Sequence, residues 1–157
     1  MCGYLIYQTE KKLKKSKVKK IEESLAHRGL GSSIHNEDGA FVIHNMLPMC
    51  NLIPGIYQQP LINPYRWPRL VGAFTGEIFN WKKLKKKYHL PSENDSQLFA
   101  DVMVGPDAKA KIHEMDGFWN FAAIYDEKLV GVVDYLSQKP LYYRTDMPAL
   151  CSEPYPL

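Results

Sequence analysis

The sequence predicts an α+β fold, and three observations carry that prediction. Short apolar runs of strand type occur at both ends of the chain. Helical patterns of period 3.6 lie between them. The two kinds of segment do not alternate strictly, as a doubly wound parallel sheet would require. The chain has 157 residues, 45% hydrophobic and 24% charged, ordinary globular values that exclude collagen-like and disordered classes. Nothing divides it, and one domain over residues 1–157 is expected.

The elements follow in order. Gly3 to Tyr7 is an apolar strand. From about Glu10 to Leu25 a helix is expected. Leu13, Val18, Ile21 and Leu25 share one face, and seven lysines from Lys11 to Lys20 cover the rest. Arg28 to Ser33 reads as the turn that ends it, and Asn36 to Gly39 as a second turn before a strand, Ala40 to His44. Five of the eleven prolines fall between Pro48 and Pro68, so an irregular segment is expected there. Arg69 to Thr75 reads as a buried strand with a break at Gly76. A short helix then carries Trp81, Leu84 and Tyr88 on one side. Asn94-Asp95-Ser96 signals the start of a helix running to about Val104. A helix near Ala108 to Met115 precedes three strands: Phe118 to Tyr125, Leu129 to Val133 and Leu141 to Tyr143. Asp126-Glu127-Lys128 is read as the hairpin turn between the first two. In the first of these, Phe118, Trp119, Phe121 and Tyr125 mark a strand covered on both faces.

Charge and cysteine usage narrow the function classes. Twenty basic against seventeen acidic side chains leave a net charge of +3, and the sequence pI is 8.6. That is too mild for a nucleic-acid packing protein. The lysine runs 11–20 and 82–87 sit on amphipathic helices and read as solvated faces, so nucleic acid is not expected as a partner. No apolar run reaches the ~18 residues of a membrane span. The apolar Tyr4 to Tyr7 precedes the lysines, the reverse of secretory-signal order. A soluble, cytoplasmic protein is expected. Cys2, Cys50 and Cys151 are odd in number and widely spaced, which suits neither a disulfide framework nor a zinc site. Cys50 and Cys151 read as buried small hydrophobes. The five histidines show no ligand spacing, so no metal and no cofactor is expected.

Cys2 is the residue best suited to chemistry. If Met1 is removed, Cys2 carries a thiol and an α-amine on one residue. The amine titrates near pH ~7.7–8.0 and can take the proton of a thiol of pKa ~8.5. Six further segments follow in order: His27-Arg28-Gly29, Gly72 to Asn80, Asn94-Asp95-Ser96, Met115 to Ala122, Lys139-Pro140-Leu141-Tyr142-Tyr143 and Ser152-Glu153. Together with Met1-Cys2-Gly3 the set resembles the glutamine amidotransferase domain of the asparagine synthetase type, the class with an N-terminal nucleophile. That family's patterns are of the form MCGI, HRGPD, NGEIYN, SDxE, GMFAFA, KPLYY and SE. The likeness extends from residue 1 to about residue 153.

The resemblance implies a four-layer αββα sandwich, the N-terminal-nucleophile (Ntn) hydrolase fold, and hydrolysis of glutamine to glutamate and ammonia. Cys2 would be the nucleophile and Gly76 an oxyanion-hole donor, with Thr75 where the family has its oxyanion-hole asparagine. Glu77 and Asp95 match the acidic positions that receive the α-ammonium of glutamine. Arg28, Met46 and Met49 complete the expected substrate-binding set. Met46 stands where the family's HxRLSI pattern has the arginine that grips the α-carboxylate, and a thioether cannot do that. Arg66 or Arg69 is the expected replacement; otherwise the substrate is a related amide. Leu30 and Gly31 replace Pro-Asp, and Val133 replaces the arginine of an RDxxG segment. The 157 residues contain no SGGxDS-type phosphate loop, so ammonia is expected to pass to a separate synthetase or transferase. The alternative is a weak or inactive descendant that binds a partner.

Overall fold

The structure, a computed structural model, describes residues 2–37, 39–47, 59–63, 69–154 and 156. Among them nine strands form two antiparallel sheets. The first sheet contains β1 (Gly3–Gln8), β2 (Ser32–Glu37), β3 (Ala40–Asn45), β8 (Tyr142–Tyr143) and β9 (Ala149–Cys151), in the order β2-β3-β1-β9-β8. The second contains β4 (Leu61–Asn63), β5 (Leu70–Ile78), β6 (Gly117–Tyr125) and β7 (Lys128–Val133), in sequence order.

Side-chain alternation along each strand builds the layers. Tyr4, Ile6, Ala40 and Val42 of the first sheet meet Val71, Ala73 and Ala122 of the second, which forms the core between the sheets. The opposite parity of the first sheet, Leu5, Phe41, Ile43 and Cys151, packs under Ile21 and Leu25 of helix α1 (Lys15–Leu25). The outer face of the second sheet, Leu70, Phe74, Trp119 and Phe121, is covered by α2 (Trp81–Tyr88) and α3 (Asp95–Val104), with α4 (Ala108–His113) beside them. Phe99 of α3 is the centre of that layer. Its ring stacks on Phe121 at 4.4 Å and meets Trp119 edge-on at 4.9 Å. The result is the expected αββα sandwich.

Several expectations are corrected. Helix α1 starts at Lys15, not near Glu10. The amide of Asn36 both donates to the Leu13 carbonyl (3.1 Å) and accepts from its N–H (3.0 Å), which ties the Leu13 backbone to β2 ahead of the helix. Residues 32–37, whose two ends read as parts of the turns 28–33 and 36–39, are an edge strand in unbroken register from Ser32↔Asn45 to Glu37↔Ala40. Their polar composition suits an edge, which blunts further pairing. Strand β5 does not break at Gly76 but continues to Ile78. Gly76 has φ +122, and a Cβ there would lie 2.0 Å from the Phe118 carbonyl oxygen. The glycine therefore lets the strand kink without losing its partner. β9 was not expected; its three residues pair with β1 and close the first sheet. In the hairpin turn only Asp126 and Glu127 have positive φ, 48 and 63, and Lys128 already belongs to β7. Of the proline-rich segment, residues 59–63 are described, and 61–63 form β4, paired with β5. Residues 48–58 and 64–68, with Met49, Cys50 and Arg66 among them, lie outside the described residues. Among the described residues no helix is long and apolar enough to cross a membrane.

Candidate active site

Cys2 immediately precedes β1. Three groups fix its main chain and thiol. The Thr75 hydroxyl donates to the Cys2 carbonyl at 3.0 Å, across from the other sheet. The Arg28 guanidinium reaches the same carbonyl at 3.4 Å. The Leu47 N–H donates to Sγ at 3.4 Å. Burial pushes the Cys2 thiol up, with the Leu47 N–H pulling the other way. The thiol is therefore a poor thiolate until a base takes its proton.

The C-terminal Ser152-Glu153 pair explains why Arg28 stands where it does. Ser152 accepts the Tyr4 N–H on its hydroxyl (2.9 Å) and donates its own N–H to the Tyr4 carbonyl (3.0 Å). Glu153 holds the Nε of Arg28 at 2.7 Å and His27 at 2.8 Å. The chain's two ends thus brace β1, and the arginine is positioned against the nucleophile. Gly3 and Gly29 permit the approach. A Cβ on Gly3 would meet the Arg28 side chain at 2.7 Å, and one on Gly29 the Met46 main chain at 2.6 Å. Met46 is tied by its backbone, accepting from Leu30 N–H and donating to the Gly31 carbonyl, both at 3.0 Å.

Beyond Thr75 on β5 come Gly76 and Glu77, paired with Trp119 and Phe118 of β6. Glu77 shares the parity of Thr75, so both belong to the inter-sheet side. Asp95, at the start of α3, accepts the Ile78 N–H (3.1 Å) and the Ser96 N–H (2.8 Å). Asn94 caps the helix by accepting from Gln97 N–H at 2.8 Å. The β5 end and the α3 start are thereby locked together, and Glu77 and Asp95 feel each other's charge. Burial, followed more weakly by Glu77, raises the Asp95 carboxyl.

Direct contacts thus join Cys2 to Arg28 and Thr75; Gly76 and Glu77 follow Thr75 on β5, Asp95 bonds to Ile78 at the end of that strand, and the Met46 backbone lies against Gly29. Arg69 is elsewhere. It precedes β5 at the end that pairs with Tyr125, about six residues and roughly 20 Å from Thr75, which removes it as a carboxylate clamp. Two participants carried little sequence signal. The buried Asn120 accepts the Tyr4 hydroxyl and donates to the Pro140 carbonyl at 2.7 Å. The buried Asp134 accepts the N–H groups of Trp119, Leu136, Gln138 and Lys139 at 3.0–3.2 Å. Burial pushes its carboxyl up, but these four N–H groups outweigh that and hold it low. An aspartate at a strand end is the Asx-turn signal that would have found it.

Comparison with known proteins agrees with this geometry. The family model described as a glutamine amidotransferase domain matches residues 1–155. Among curated proteins nothing matches. Among solved structures, glutamine phosphoribosylpyrophosphate (PRPP) amidotransferase from B. subtilis, complexed with ADP and GMP, superposes with a TM-score of 0.77 at 14% identity, covering 99% of this chain and 42% of that one. A structure described as the allosteric regulatory enzyme of purine biosynthesis gives 0.76, again at 14% identity with coverage of 99% and 42%. At such identity they show the fold, the Ntn type. The chain spans about two-fifths of their length. With its family matched over nearly the whole sequence, the chain belongs to the glutamine amidotransferase domain family.

Proposed function

We propose that this domain hydrolyses the side-chain amide of glutamine, with Cys2 as nucleophile, and yields glutamate and ammonia. The observation that carries the proposal is the Cys2 carbonyl held by Thr75 and Arg28, with Thr75 on the strand that runs on through Gly76 and Glu77 to the Asp95 contact at Ile78. After removal of Met1, the α-amine of Cys2 accepts the thiol proton, and Sγ attacks the amide carbon. The carbonyl electrons move onto oxygen, where the Gly76 N–H is the oxyanion donor. When the C–N bond breaks, the protonated amine gives its proton to the departing nitrogen and ammonia leaves. Water then cleaves the thioester with the amine again as base, which releases glutamate and restores the thiol. In this reading Glu77 and Asp95 receive the substrate's α-ammonium. Thr75 is a positioning residue, because its hydroxyl is engaged with the Cys2 carbonyl. The 157 residues contain no SGGxDS-type loop, so ammonia goes to an acceptor enzyme outside them. We place this chemistry in one soluble domain of the cytoplasm.

Cys2→Ala should abolish glutamate release while the melting temperature stays within a few degrees. Unchanged release in the variant would refute Cys2 as nucleophile. One observation favours a second reading, an inactive descendant that binds a partner: Met46 offers no charge to a carboxylate. That reading expects Cys2→Ala to alter nothing.

A further inference from the structure

An α-amino acid carries two opposite charges on one carbon. A site that receives the ammonium on carboxylates must therefore present a cation beside them. Arg28 is committed to Glu153 and to the Cys2 carbonyl. Arg69 lies at the far end of β5, and Met46 is uncharged.

Lys139 is placed differently. Its ammonium sits 4.8 Å from the centre of the Phe118 ring, and Phe118 is the residue directly opposite Glu77 in the β5–β6 register. Cross-strand partners have Cβ atoms ~5 Å apart, so the ring that the ammonium covers belongs to the nearest cross-strand neighbour of Glu77. The charges of Arg28, Asp134 and Glu77 all act on it. Its backbone is held on both sides. The Lys139 N–H donates to Asp134 at 3.2 Å. The Lys139 carbonyl accepts from Asn120 at 3.4 Å, and the next carbonyl, of Pro140, at 2.7 Å. Asn120 in turn is the strand partner of Thr75, whose hydroxyl holds Cys2. A chain of direct contacts therefore fixes this lysine relative to the nucleophile.

We infer that Lys139 receives the α-carboxylate of the substrate while Glu77 and Asp95 receive its α-ammonium. This assignment rests on the reading of Cys2 as a glutamine-hydrolysing nucleophile and adds its substrate specificity. Burial and then Arg28 hold the Lys139 ammonium below the usual lysine range, a strain that an arriving carboxylate would relieve.

The test compares L-glutamine with L-glutaminamide, whose α-carboxyl is an uncharged amide. Binding to the Cys2→Ala protein is measured by calorimetry, and turnover is measured with Cys2 present. Lys139→Met should weaken glutamine binding and raise its KM by about 10- to 100-fold, the usual loss of one charged hydrogen bond. Glutaminamide should be affected less than twofold, and Lys139→Arg should restore glutamine to within a few-fold. Equal losses on both ligands, an unchanged glutamine affinity or a failed rescue by arginine would overturn the assignment. Binding that follows this pattern without turnover in the Cys2 protein would instead overturn the hydrolytic reading and leave Lys139 in place.

Discussion

Replacing Thr75 by valine removes one hydroxyl from a side chain that is only 3% exposed and changes its shape little. Among the described residues that hydroxyl makes one bond, at 3.0 Å to the Cys2 carbonyl. The Arg28 contact at 3.4 Å remains after the change, so the carbonyl keeps one partner and the loss is that of one neutral hydrogen bond, about 1 kcal/mol. For a chain of this length that lowers Tm by about 2–4 °C. If the same loss loosens the nucleophile in the transition state, kcat falls by about tenfold at most. A hydroxyl aimed at the substrate's oxyanion predicts something else: a fall of about 10²- to 10³-fold with stability unchanged. Thermal melts and steady-state glutamate release on Thr75→Val and Thr75→Ser separate the two. Recovery of both Tm and rate in the serine variant is expected. A hundredfold rate loss at constant Tm would refute the positioning role.

Two further predictions concern stability. His44 is fully buried beside Tyr4, with its Nε2 donating to the Phe74 carbonyl at 3.2 Å, and burial lowers its pKa to about 4. The unfolded chain, with an ordinary histidine near pH ~6.5, takes up the proton first, so stability is full above that value and falls as pH drops toward 4. Between pH 7 and 5 this one group removes roughly 2 kcal/mol. Urea midpoints should show a smaller decline in His44→Gln than in the unaltered protein, and an equal decline would contradict the assignment. Asp134→Ala leaves four N–H groups without their acceptor, at a cost of about 3 kcal/mol or a Tm loss of about 6–12 °C. Hydrogen exchange should accelerate first at residues 136–139; unchanged protection there would count against the turn as built.

What could be read from the sequence was whatever local chemistry determines. The Asn94-Asp95 helix start, the i, i+3, i+7 face of α2 and the covering of β6 on both faces appear as expected, because caps and local apolar patterns act within a few residues. Ordered motifs single out Cys2, Thr75, Gly76, Glu77 and Asp95, and of these the structure joins Thr75 to Cys2 directly. The failures share one cause, pairing across long separations. Residues 10–14 have helical composition but stay outside the helix, with the Leu13 backbone bonded to Asn36 of β2. Residues 32–37 have turn composition but complete an edge of the sheet. Gly76 looks like a break because nothing local reveals the Phe118 carbonyl against it. The direction of the Thr75 hydroxyl and the company of Lys139 depend on how the two sheets stack, and no motif encodes that.

Covalent labelling tests the central claim most directly, because it needs neither turnover nor an ammonia acceptor. The purified protein would be incubated with a diazoketone analogue of glutamine, and its intact mass compared with that of the Cys2→Ala variant. The account predicts a single adduct on a chain that has lost Met1, absent from the variant. A chain that begins at Cys2 and takes no adduct, or a variant labelled as fully as the unaltered protein, would contradict it.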